Sequence, residues 1–164
     1  ALADKVAAGA KNIAIDGNNK TYTGTITIDG QNKGGGNRAD ALTIKNVNFK
    51  HASTGISVQT TKSTYAHNIT IDNCRFEGNS ASLNAGVMYV NSGAKPTFND
   101  CVFTGNTALK WGMIHHQSGT TVLNNCIFTD NIAQNRGGAI FLHGNSTENC
   151  TNTTLSHSIF INNK

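Results

Sequence analysis

The stretch "DNCRFEGNSA" (residues 72–81) returns as "NDCVFTGNTA" (99–108) and again as "NNCIFTDNIA" (124–133). A phrase of the form Asn/Asp–Cys–x–Phe–x–x–Asn written three times is a structural period before it is a site. Aligned on the aromatic residue, the row extends to Phe49, Phe76, Phe103, Phe128 and Phe160, at intervals of 27, 27, 25 and 32 residues. The long last interval holds "GNSTENCTN" (144–152), a polar insertion read as a loop on one coil. Upstream of each Phe lies a short alternating segment: "LTIKNVNF", "ITIDNCRF", "PTFNDCVF", "TVLNNCIF" and "TTLSHSIF". Downstream, after a variable polar turn, comes a second: "GISVQ", "GVMYVN", "GMIHHQ" and "GAIFLHG". "NIAID" (12–16) and "GTITIDG" (24–30) supply a starting coil.

Segments of four or five residues cannot bury a hydrophobic face alone, but stacked coil on coil at about 4.8 Å each pairs in parallel with its copy. The expected fold is therefore all-β: a right-handed parallel β-helix of about five to six coils. Period-two register places Ile44, Ile71, Phe98, Leu123 and Leu155 on one interior row and the five phenylalanines on another. Val58, Val90, His116 and Leu142 make a third. Residues 1–164 read as one domain, with coils from 12 to 164 and residues 1–11 as a cap. In that cap Leu2 and Val6, four apart, suit a short helix over the first coil. The sequence stops just after a repeat begins. We therefore expect a piece of a longer chain or an assembly in which copies stack head to tail into a fibre or layer.

Composition narrows the functional classes. Charged residues make up 13% of the 164-residue chain and the 13 basic residues are scattered singly, so no stripe suited to nucleic acid is expected despite a net charge of +4. No stretch approaches the roughly 20 apolar residues of a membrane helix. Four cysteines and several Asn-x-Ser/Thr sequons fit an oxidising, extracellular or cell-surface setting. Asn19, Asn68, Asn145 and Asn152 head the sequons, with Asn149 in a weaker Asn-Cys-Thr form. Cys74, Cys101 and Cys126 fall directly above one another, within the span a disulfide can bridge. Either they form a buried thiol ladder, or one pair closes, with Cys150 in the insertion as a further partner.

The Phe-x-x-Asn phrase together with Gly-Gly-Ala-Ile, intact at Gly137–Ile140 and degraded to "AGVM" (85–88) and "WGMI" (111–114), resembles the repeats of polymorphic outer membrane proteins. It is similar also to adhesin-like β-helix proteins and the wider pectate-lyase-like superfamily, over roughly residues 40 to 164. The resemblance implies a surface-exposed passenger with adhesive or structural function. The same superfamily holds polysaccharide lyases and hydrolases.

A glycosidase needs two neighbouring carboxylates, and a calcium lyase needs clustered acids with a basic residue. Asp72, Asp100 and Arg75 are the set that adjacent coils could bring together. The competing reading places Asn46, Asn73, Asp100 and Asn125 in a turn row whose side chains bond one another. No metal and no cofactor is expected, since His115 and His143 supply only two ligands. The second strand's outward positions are read as Val87, Tyr89 and Asn91, then Met113, His115 and Gln117, then Ala139, Phe141 and His143, with Trp111 beside them. An apolar, aromatic stripe on a surface marks a partner: another subunit, or host or matrix glycans stacking on the rings.

Overall fold

The computed structural model describes residues 12–29, 41–51, 56–59, 68–82, 85–90, 95–117, 119–144 and 153–164. Two partial turns begin the solenoid: β1 (Asn12–Tyr22) with β2 (Ile26–Asp29), then β3 (Ala41–Lys50) with β4 (Ile56–Gln59). Three fuller turns follow. The first holds β5 (Asn68–Asp72), β6 (Arg75–Glu77), β7 (Ser80–Ala81) and β8 (Met88–Val90). The second holds β9 (Lys95–Asn99), β10 (Val102–Thr104), β11 (Thr107–Ala108) and β12 (Ile114–Gln117). The third holds β13 (Val122–Asn124), β14 (Ile127–Thr129), β15 (Ile132–Ala133) and β16 (Ile140–His143). A last rung is formed by β17 (Thr154–Ser156) and β18 (Ile159–Ile161).

Every pairing is parallel, and the strands sort into sheets of ten, five and three. The fold is a right-handed parallel β-helix of about four turns, fewer than the five to six coils expected from counting repeats. The difference arises because the end rungs carry only part of a turn. The described residues contain no helix, and the expected cap over 1–11 lies outside them, as do residues 145–152 of the insertion.

Two left-handed positions per turn bend the chain sharply. The first column is Asn46, Asn73, Asp100, Asn125 and His157, with φ between 47° and 54°. The second is His51, Gly78, Gly105, Asp130 and Asn162, with φ between 52° and 60°. Asn, Asp and Gly tolerate this region far better than other residues, which is why these types recur on either side of each Phe. Between the two bends the Phe-bearing strand turns its aromatic ring inward. Phe49, Phe76, Phe103, Phe128 and Phe160 stack nearly parallel, with centroids 4.1–4.9 Å apart. Tyr22, in register with Phe49, closes the row edge-on.

The asparagine of Phe-x-x-Asn is buried, and it forms the polar spine of the interior. Asn79 Nδ2 donates to Asn106 Oδ1 (2.9 Å), Asn106 Nδ2 to Asn131 Oδ1 (2.9 Å), and Asn131 Nδ2 to Asn163 Oδ1 (2.8 Å). Each amide also donates to the carbonyl of a Phe on the preceding coil, such as Asn106 Nδ2 to Phe76 O at 3.0 Å. Each acceptor oxygen further takes the backbone N–H of the residue below it. A buried amide is affordable only when it is matched in this way.

Candidate functional site

Outside the interior, the polar residues of the first sheet are bonded to their own copies. Asn46 Nδ2 donates to Asp16 Oδ1, Asn73 Nδ2 to Asn46 Oδ1 (2.8 Å), and Asn125 Nδ2 to Asp100 Oδ1 (2.6 Å). A parallel row runs one residue earlier: Asn99 Nδ2 to Asp72 Oδ1 (2.6 Å), Asn124 Nδ2 to Asn99 Oδ1, and Ser156 Oγ to Asn124 Oδ1. Asp72 and Asp100 therefore sit in separate amide ladders. Arg75 turns instead to Glu77, with Nε 3.3 Å from Oε2, and Lys50 reaches the other oxygen at 3.1 Å. Those two hydrogen bonds, that to Lys50 foremost, hold the Glu77 carboxyl below the usual range. Asp16 is likewise lowered, by the Asn18 N–H first and then by Asn46 and Lys45.

Cys74, Cys101 and Cys126 are buried free thiols. Each Sγ donates to a carbonyl of its own turn, at 3.2–3.4 Å, and lies 3.4–3.7 Å from one on the coil before. In the structure the three are separate thiols on successive coils. Val47, whose backbone N–H bonds the Cys74 sulfur, begins this row, and Ser158 ends it, its Oγ accepting the Cys126 N–H. Burial pushes the Cys74 thiol up to about 11. Cys101 is raised too, by the adjoining Cys126 sulfur and by burial. Cys150 lies outside the described residues.

The second sheet builds the aromatic face, with one correction. Val87 and Met113 do not point outward; both are fully buried in the core. A bulge at the corner causes this. Met113 O accepts from the N–H groups of both Val87 and Met88, and Ala139 O accepts from both Met113 and Ile114. Two consecutive side chains thereby enter the interior before alternation resumes. The corner depends on glycine: Gly112 has φ +41°, and a Cβ there would strike the Gly137 carbonyl oxygen.

Beyond the bulge, register stacks Tyr89, His115 and Phe141 on successive coils. His115 lies 5.2 Å from Tyr89 and 5.4 Å from Phe141, centroid to centroid. Trp111, bridged through its backbone to Arg136, covers His115 at 4.3 Å and is nearly parallel to Phe141 at 6.5 Å. Exposed His143 stacks on Phe141 at 5.9 Å. Lys110 Nζ lies 5.8 Å from the Trp111 centroid and Arg136 Cζ 5.9 Å from that of Phe141. His115 is only 2% exposed, although its position faces outward, because these rings enclose it. Neither of its ring nitrogens has a hydrogen-bond partner. Burial, with smaller contributions from His143 and His116, lowers its pKa to about 4, so the ring is neutral at ordinary pH. Its chain neighbour His116 faces the interior and shares a 2.6 Å hydrogen bond with Thr121 Oγ1.

Of the residues expected on the stripe, Tyr89, Trp111, His115, Phe141 and His143 come together here. Lys110 and Arg136 join them, and their only sequence signal is their place in the loops beside Trp111 and Gly137. Among the described residues, no group of three or more His, Cys, Asp or Glu could hold a metal ion. Of the sequon asparagines, Asn19 and Asn68 are exposed, while Asn145, Asn149 and Asn152 lie outside the described residues. No helix of the described residues is long and apolar enough to cross a membrane. A family model described as a right-handed β-helix region matches residues 6–164. No curated protein and no solved structure matches the chain.

Proposed function

The chain belongs to the right-handed β-helix family, and from that premise we propose that it is a stiff structural or adhesive module of the cell exterior rather than a catalyst. One observation carries this reading: the polar residues that repeat from coil to coil are bonded to their own copies. Asp72 accepts from Asn99, Asp100 from Asn125, and Arg75 is held by Glu77. The two aspartates thereby join successive coils while Arg75 is engaged on its own strand, and a rod of stacked coils is a spacer that presents one face along its length.

The resemblance of the Phe-x-x-Asn and Gly-Gly-Ala-Ile repeats to those of outer-membrane passengers supports an extracellular place, as do the exposed sequon residues Asn19 and Asn68. The aromatic face of the second sheet is where this rod engages a partner, either a second copy or a glycan-bearing surface. Beads coated with the protein should adhere to cells or matrix while uncoated beads do not, and light scattering over a wide concentration range reports self-association. Release of products from polyuronates or other polysaccharides, abolished in Asp100→Ala, would replace this reading with an enzymatic one.

A further inference from the structure

A neutral imidazole carries one N–H donor and one bare nitrogen acceptor. His115 buries both, and neither finds a partner. Along the Asn79, Asn106 and Asn131 spine of the same solenoid, buried amides are matched atom by atom. An unmatched buried donor and acceptor destabilise a fold, so packing alone gives no reason for His at this position.

The surroundings specify what would complete it. Trp111 and Phe141 present flat rings of nearly the same orientation, 10° apart, on neighbouring coils. Lys110 Nζ lies over the Trp111 ring and Arg136 Cζ over the Phe141 ring, and among the described residues neither cation is paired with a carboxylate. A ligand fitting all three features has an apolar ring face, hydroxyls that both donate and accept, and negative charge.

We propose that this face of the second sheet binds an anionic pyranose saccharide. The sugar stacks on Trp111 and Phe141, its hydroxyls satisfy the His115 nitrogens, and its carboxylate or sulfate lies between Lys110 and Arg136. The inference rests on the reading of this face as a partner surface, and supplies the partner's chemistry. Entry requires the Trp111 indole to slide off His115. The indole stands on the exposed Leu109–Lys110 turn and meets the imidazole at a 43° tilt rather than in a tight stack.

Trp111 is the one tryptophan of the chain, so its fluorescence reads the site directly. We would titrate the intact protein with a chondroitin sulfate hexasaccharide and with a hexagalacturonate, using maltohexaose as the uncharged comparator. The expected result is a saturable change with an anionic oligomer, at least about tenfold tighter than with maltohexaose. His115→Phe keeps the ring packing and removes both nitrogens. It should weaken that binding about tenfold without lowering the melting temperature. A flat titration with both anionic oligomers, equal affinity for maltohexaose, or unchanged binding by His115→Phe overturns the proposal. Bead adhesion separates the two readings: adhering beads with a flat titration sink this inference alone, whereas saturable binding without adhesion sinks the adhesive role.

Discussion

The buried asparagine spine and the aromatic face of the second sheet both place polar side chains out of water, and they treat them in opposite ways. Asn106 accepts from the backbone and side-chain N–H groups of Asn79 and donates to Asn131 Oδ1 and Phe76 O. His115, one sheet away, makes no hydrogen bond from either nitrogen. One region uses its polar atoms to fix the spacing of coils. The other leaves them unused by the fold, and that contrast separates residues that hold the architecture from a residue that coil packing does not explain.

The comparison can be broken from either side. Phe103→Ala should cost the most, about 3–5 kcal/mol in urea unfolding, because it empties the gap between Phe76 and Phe128. Asn106→Ala comes next, at about 3 kcal/mol, since two buried N–H groups of Asn79 lose their acceptor and Phe76 O loses a donor. If it proved neutral, the spine would be no more than a passenger of the stacked rings.

His115→Phe acts in the other direction, raising stability by about 1 kcal/mol by removing the unmatched nitrogens. The native protein should also lose stability as pH falls from about 6.5 toward 4. In that window the unfolded chain takes up a proton at His115 that the folded chain, with its lowered pKa, refuses. Below about 4 both states bind it and this contribution levels off; in His115→Phe it should vanish. Asp100→Asn should change stability least, by less than about 0.5 kcal/mol, because the amide still offers Asn125 an acceptor at an exposed turn. A larger loss would show that the outer ladder depends on charge.

Much of this was readable from the residues, and the failures have physical causes. The phenylalanine and cysteine rows were visible because their side chains lie in unbroken register. Tyr22 was missed although it precedes Phe49 by the same 27 residues, because a different aromatic residue occupies the place. Two-residue strands such as Ser80–Ala81 are too short to display an alternation. Val87 and Met113 were assigned to the wrong side because strict alternation was carried through a corner where one carbonyl takes two N–H groups. The glycine before each apolar pair, Gly86 and Gly112, was the mark of that slip. The enclosure of His115 depends on how Trp111 crosses from its loop, which no period encodes.

The stacked thiols have a consequence for how the rod comes apart. Cys74, Cys101 and Cys126 are sealed from solvent on three successive turns. An alkylating reagent can reach each of them only when its own stretch of the stack opens. Their three labelling rates therefore form a built-in ruler along the long axis. Equal rates would mean that the rod fails as a single unit, and graded rates would show the end from which it frays.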